Sequence, residues 1–135
     1  MRNDLIICSG ALIYSRETHR VLLLQKQYGK HAGRWGLVGG TACDTESAWQ
    51  SLIREIKEEI GSVPDIKKTL PIEKFVSFDN VFNFTTYFCV VDNEFIPTLS
   101  EEHLAWGWFD LNSLPKPVHK SLEISLSSPI IQLKI

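Results

Sequence analysis

The chain is short of the features that would send it out of the cell, into a membrane or onto a nucleic acid. It has three cysteines, Cys8, Cys43 and Cys89, far apart and odd in number, and no Cys-x-x-Cys or Cys/His cluster with zinc spacing. That argues against a disulfide-stapled module or a structural zinc domain, and a reducing, cytoplasmic setting is expected. The apolar run over residues 5–14 is interrupted by Ser9 and Gly10, is too short to span a bilayer, and is followed by no cleavage-site pattern. No membrane partner is expected. A formal net charge of -2 supplies no global attraction to nucleic acid. No internal repeat, low-complexity tract or linker is visible.

What is present is an ordinary globular composition. The 135 residues are 44% hydrophobic and 22% charged. A chain of that size buries roughly two-thirds of its unfolded surface, so residues 1–135 read as one domain with its own core. Residues 5–14 and 21–25 read as a strand pair about a turn at Arg16-Glu17-Thr18-His19. Residues 28–40, which carry Gly29, Gly33, Gly36, Gly39 and Gly40, read as a loop that bends tightly or approaches something closely. Residues 45–60 read as the one strong helix, capped by Asp44 or Thr45 and ended by Gly61. Residues 66–78 and 81–91 read as strands joined at Asp79-Asn80, and residues 103–109 as another. Residues 111–114 read as a short helical turn before Pro115, and 118–126 as a modest second helix. Strands outnumber helices, which indicates an α+β fold with a mixed sheet.

The helix holds the chemistry. At about 100° per residue, Trp49, Leu52, Ile53, Ile56 and Ile60 form a core-facing stripe. Glu55, Glu58 and Glu59 form a carboxylate face beside it, with small Ala48 on the boundary. Local physics opposes this face. Each like-charge pair costs roughly 0.2–0.5 kcal/mol, and a carboxylate in the last turn is disfavoured by about 0.3–1 kcal/mol against the helix dipole. Arg54 and Lys57 read as pointing to the other side. A hard divalent cation converts such repulsion into ligation, and carboxylate oxygens suit Mg²⁺, or Mn²⁺ in its place. The plainer alternative is a solvated acidic face.

Gly40, Glu46, Arg54, Glu55, Ile56, Glu58, Glu59 and Gly61 stand in the register of the Nudix box, with Ser62 where that pattern has an aliphatic residue. Gly33-Arg34-Trp35-Gly36-Leu37-Val38-Gly39-Gly40 resembles the family's approach to the box, with Val38 where proline is usual, and Glu101-Glu102-His103 with Trp106-Gly107-Trp108-Phe109 resembles its later strand. The chain is thus similar to Nudix hydrolases over nearly its whole length. The resemblance implies an α/β/α sandwich and Mg²⁺-dependent hydrolysis of a nucleoside diphosphate derivative. It implies Glu55, Glu58, Glu59 and the Gly39 carbonyl as metal ligands, Arg54 as the residue orienting a glutamate, and Glu46 as its charge partner. A further acid from outside the box is expected at Glu102, with Glu101 second. The general base falls to Glu55, Glu58 or Glu102, because a carboxylate can take the proton of an attacking water.

Lys26, Lys30, His31 and Arg34 surround the glycine-rich segment and suit phosphate contacts as well as they suit a solvated loop. Lys26 and Arg34 are expected to bind substrate. In the aromatic set Phe75, Phe78, Phe82, Phe84, Tyr87 and Phe88, most are expected in the core and Phe82 is the candidate for stacking on a base. His103 reads as structural, and the sequence suggests no partner for His19 or His119. The expected substrate is a small nucleotide, a standard or oxidised nucleoside triphosphate. A nucleotide sugar or dinucleotide is the alternative, and a Nudix-like sensor that binds without hydrolysis is the rival from another class. If the chain is not monomeric, the resemblance implies a homodimer, paired through an exposed edge strand or through the aromatic hairpin.

Overall fold

A computed structural model describes residues 6–41, 46–76, 82–119 and 122. Seven strands and one long helix run in the order β1 (Ile6–Ser15), β2 (Arg20–Lys26), β3 (Trp35–Gly36), β4 (Val38–Thr41), α1 (Ala48–Ile60), β5 (Lys68–Val76), β6 (Phe82–Val91) and β7 (His103–Asp110). The strands form one sheet whose main path is β3-β2-β1-β6-β5, with β4 also paired to β1 and β7 to β2. β1 and β6 are parallel over ten register pairs, from Ile6 opposite Phe82 to Ser15 opposite Val91. The strand–strand pairings of β1 with β2 and β4, of β2 with β3 and β7, and of β5 with β6 are antiparallel, so the sheet is mixed as expected.

The sheet forks, and the fork positions the site. Ile13 and Tyr14 of β1 pair with β2, but Cys8–Ala11 pair with β4 instead. Farther along β2, Leu24 and Gln25 pair with β3. The glycine-rich stretch expected to be a loop therefore contains two short strands that fill the fork. Its glycines hide them from period-two reading, because the side chains that would show alternation are missing.

Two apolar clusters lie on opposite faces of the sheet. Ala11, Ile13, Leu22, Leu24, Val38, Cys89, Val91 and Trp108 face α1, which contributes Leu52, Ile56 and Ile60. Leu12, Val21, Leu23, Ile72, Phe88, Val90 and Leu122 pack on the other face. The helix begins at Ala48, three residues later than expected. Its cap is Ser47, whose hydroxyl accepts from the Gln50 N–H at 3.1 Å while the Gln50 side chain accepts from the Ser47 N–H at 2.9 Å. Gly61 ends it in the left-handed region at φ 91°, as expected. Trp49 departs from the expected core stripe: it lies at the rim, its ring edge-to-face with that of Tyr87 and the centroids 5.2 Å apart.

Other expectations shift at their edges. β5 starts at Lys68 rather than residue 66. The short turn expected over 111–114 is present one residue earlier, closed by the Ser113 N–H donating to the Asp110 carbonyl at 3.0 Å. Val118 forms a parallel bridge with Trp35, so the helix expected over 118–126 does not start there, while Leu122 within that span is helical. His19, in the left-handed region at φ 62°, stacks on Tyr14 at 6.0 Å. Asp44, Thr45, Cys43, Phe78, the Asp79-Asn80 turn and most of 118–126 lie outside the described residues.

Leu52 is fully buried between α1 and the sheet. Leu52→Ala is expected to cost about 2–5 kcal/mol of stability, measured by urea unfolding. An ion pair ties the β6–β7 connection to β2. Glu94 accepts from Arg20 at 2.6 and 2.8 Å and from the Thr18 hydroxyl at 2.5 Å. Burial raises its carboxyl, but these donors outweigh burial and hold it below the usual carboxylate range. A lowered folded value means stability that is present above the unfolded value and lost as pH falls through the folded one. Glu94→Gln should lower the melting midpoint at pH 7, and the gap to the unmodified chain should close below about pH 4.

Candidate active site

The C-terminal half of α1 lies over β4, and the glycines of β4 make that approach possible. A Cβ on Gly40 would stand 2.5 Å from the Glu55 carboxyl carbon and 2.6 and 2.8 Å from its oxygens. A Cβ on Gly39 would run into the backbone of Ser9 and Gly10 on β1. Gly39 also donates its N–H to Glu59 Oε1 at 3.0 Å. Helix and strand are thus joined through carboxylates rather than through apolar packing alone.

Arg54 is the centre of the cluster. Its guanidinium forks onto Glu46, with Nε to Oε2 at 2.7 Å and Nη2 to Oε1 at 3.1 Å. Nη1 reaches Glu55 at 3.1 Å and both Glu58 oxygens at 3.3 Å. The expected Glu46–Arg54 pair is therefore present. The reading that Arg54 points away from the carboxylate face is corrected: its long side chain bends back to it. Hydrogen bonds to Glu46 and then Glu58, with the charge of Glu55, hold Arg54 above its ordinary range.

The three box glutamates are not equivalent. The Glu58 side chain is 57% exposed, Glu55 is half-buried, and Glu59 is buried. Burial pushes the Glu59 carboxyl up to about 8, with Glu55 and Glu102 adding to the rise, while the Gly39 N–H and Lys26 act against it. Glu55 is raised first by burial, with Arg54 opposing and with Glu58 and Glu102 adding. Glu102 is exposed at the start of β7, and its charge is felt at both buried acids. It is tied to the β2 side by the Gln27 N–H, which donates to its carbonyl at 3.0 Å.

Among the described residues, no three acidic, histidine or cysteine side chains already converge on one point as a finished metal cage. Arg54 takes the place of the cation for Glu55 and Glu58. The donor set nevertheless fits a hard divalent ion: carboxylates crowded together, with the bare Gly40 backbone beneath Glu55. The hydroxyls of Ser9, paired with Gly40, and Ser51, one turn before Glu55, are buried and find no hydrogen-bond partner among the described residues. They border the same place with unused polar capacity.

Lys26 lies at the end of β2, close enough for its charge to act on Glu59 and His103. Arg34 donates from Nη1 to the Val118 carbonyl at 3.2 Å. Phe82 pairs with Ile6 at the start of β6, and its side chain lies outside what the structure describes. His103 is buried, as expected of a structural residue, with Nδ1 lacking a partner among the described residues. Sequence reasoning missed the Ser47 cap, although Ser47-Ala48-Trp49-Gln50 carries the capping-box spacing. It also missed Ser9, Ser51 and His119, for which no sequence signal stands out.

Comparison with known proteins agrees with this fold. The model of the NUDIX domain matches residues 6–127. A dihydroneopterin triphosphate diphosphatase of Haemophilus influenzae is 33% identical over 112 residues, covering 72% of this chain and 69% of that protein. An ADP-ribose pyrophosphatase of Methanocaldococcus jannaschii is 28% identical over 101 residues, covering 73% of this chain and 59% of the relative. A crystal structure of a MutT NUDIX hydrolase from Burkholderia pseudomallei superposes with a TM-score of 0.71 at 26% identity, covering 91% of this chain and 96% of its own.

If charge holds the cluster together, Arg54→Gln should lower the thermal midpoint by a few degrees at low ionic strength, and about 1 M NaCl should recover much of the loss by screening the glutamates. A deficit indifferent to salt in differential scanning fluorimetry would mean that packing of the side chain, not its charge, is what matters.

Proposed function

The chain belongs to the Nudix hydrolase family, and from that premise we propose that it cleaves a phosphoanhydride bond in the triphosphate group of a nucleoside-like compound. The observation that carries the reading is the in-register set Glu55, Glu58 and Glu59, gathered by Arg54 and Gly39 over the bare backbone of Gly40. A triphosphate is favoured over a nucleotide sugar because the relatives named for dihydroneopterin triphosphate match 72–73% of the chain and much of their own length. The ADP-ribose pyrophosphatase relative keeps the nucleotide-sugar reading as the alternative. The class and not the compound is proposed, since loop shape and pocket walls decide the compound.

In this reading Glu55, Glu58, Glu59, Glu102 and the Gly39 carbonyl hold Mg²⁺, for which Mn²⁺ substitutes. The ion supplies charge neutralisation at the phosphate oxygens and acidifies water. The chain's own residues do the rest. Arg54 fixes the Glu55 and Glu58 carboxylates, and Glu46 fixes Arg54, so the acids keep one geometry as charge moves. Glu55, Glu58 or Glu102 accepts the proton of the attacking water. Lys26 and Arg34 meet the anionic substrate, and Phe82 is proposed to stack on its ring system. The Cys89 thiol, pushed up to about 12 by burial, suits a reducing cytoplasm. No helix among the described residues is long and apolar enough to cross a membrane.

The test is phosphate and pyrophosphate release from standard, oxidised and pterin triphosphates, nucleotide sugars and dinucleotides, with and without Mg²⁺. Metal-dependent turnover is expected on a triphosphate, with kcat reduced at least about a hundredfold in Glu58→Gln. Preference for a nucleotide sugar would replace the substrate assignment. Tight, metal-independent binding without turnover would mark a sensor. Gly40→Ala should also lower kcat at least about tenfold, because the new methyl displaces the Glu55 carboxylate.

A further inference from the structure

Ser9 and Ser51 bury hydroxyls in opposite walls of one place. Ser9, on β1, is 1% exposed, and Ser51, on α1, is fully buried. Neither hydroxyl has a hydrogen-bond partner among the described residues. The backbone does not use them either. Ser51 gives its N–H to the Ser47 carbonyl at 3.0 Å in ordinary helical fashion, but its Oγ makes no bond back to the preceding turn, the usual resort of a serine inside a helix. A buried hydroxyl without a partner is destabilising, and alanine would fill either position without that cost. Packing alone is therefore a poor reason for serine at both.

Register fixes where the two hydroxyls lie. Ser9 stands directly opposite Gly40 in the antiparallel pair of β1 and β4. Opposed residues point to the same face of a sheet, with Cβ positions about 4.5–5.5 Å apart. Gly40 identifies that face, because a Cβ there would stand 2.5 Å from the Glu55 carboxyl carbon. Two residues along β1, Ala11 shares a core cluster with Leu52 and Ile56, so this side of the strand faces the helix. Ser51 approaches from the helix itself. It precedes Glu55 by one turn, and side chains so spaced are neighbours, with Cβ atoms about 5–6 Å apart. Helical side chains lean toward the N-terminus, so the Glu55 carboxylate lies over the turn that carries Ser51. The two hydroxyls thus flank Glu55 on its buried side. Arg54, partly exposed, already holds Oε2 of that carboxylate at 3.1 Å.

A small divalent cation gives these hydroxyls something to hold. Mg²⁺ parts with its water reluctantly and keeps several molecules when carboxylates bind it. Water on a cation is a strengthened donor and needs acceptors, and the Glu55 oxygens are shared between the ion and Arg54. A hydroxyl accepts from such a water and still donates to a carboxylate oxygen. We propose that Ser9 and Ser51 are positioning residues for the divalent cation, their hydroxyls holding its water shell on the buried side of Glu55. The inference rests on the assignment of that cation to the box carboxylates. It adds two neutral residues, one of them from a strand far from the box in sequence, to an acid set carried by the helix.

The test is binding of Mn²⁺ alone to the full chain, stripped of metal beforehand and studied without substrate, with free Mn²⁺ read by electron paramagnetic resonance. Ser9→Ala and Ser51→Ala should each weaken binding about tenfold, as loss of groups that support metal ligands commonly does. The metal-free variants should melt at the temperature of the unmodified chain or above it, because each loses a hydroxyl that has nothing to bond. At position 51 alanine is also the better helix former. Mn²⁺ affinity unchanged in both variants overturns the inference and leaves the cation site standing. A metal-free midpoint lower by several degrees also overturns it, since the hydroxyls then have partners without the ion. An unmodified chain that binds no Mn²⁺ removes the cation, and with it both this inference and the metal-assisted reading on which it rests.

Discussion

Holding several like charges together at the end of one helix is the constraint on which the rest of this structure depends. Glu55, Glu58 and Glu59 repel one another and oppose the helix dipole. Two devices contain them. The Arg54 guanidinium binds Glu55 and Glu58 while being fixed by Glu46, and the Gly39 N–H takes Glu59 into the space between helix and sheet. The fork between β1 and β2 brings β4 under the helix, and Gly39 and Gly40 let the backbones close to within reach of the carboxylates. A side chain at Gly40 would push the Glu55 carboxylate away, and one at Gly39 would run into the backbone of β1.

The same arrangement creates a gradient of environments along a single helix face. Glu58 is in water, Glu55 is half-buried and Glu59 is buried. Burial and mutual repulsion act together on the inner two. A divalent cation would relieve both, which is the physical link between the fold and metal-assisted phosphoanhydride chemistry. Lys26, at the end of β2, brings a positive charge close enough to act on Glu59.

Much of this was legible from residue order, for reasons that differ from part to part. The strand pair about residues 16–19 and the strands later called β6 and β7 follow from local patterning of apolar side chains. The Glu46–Arg54 pair was legible only through resemblance to the box. The wheel alone put Arg54 on the wrong side, because it places Cβ atoms and not the ends of long side chains. The strands β3 and β4 were not legible, since glycine has no side chain to show which face it occupies. Trp49 was misplaced for a related reason: periodicity tells which side of a helix a residue is on, not how far the neighbouring sheet extends beneath it.

The sequence by itself determined the register of acids on α1, the stop at Gly61 and the mixed α+β character, because these depend on spacings of a few residues and on local backbone preference. Only the tertiary structure decided that Glu59 is the buried acid, that Ser9 and Ser51 border Glu55, and that His119 meets His31. Those outcomes depend on sheet register and on which segment fills the fork. Contacts of that kind join residues far apart in the chain, and no short-range pattern encodes them.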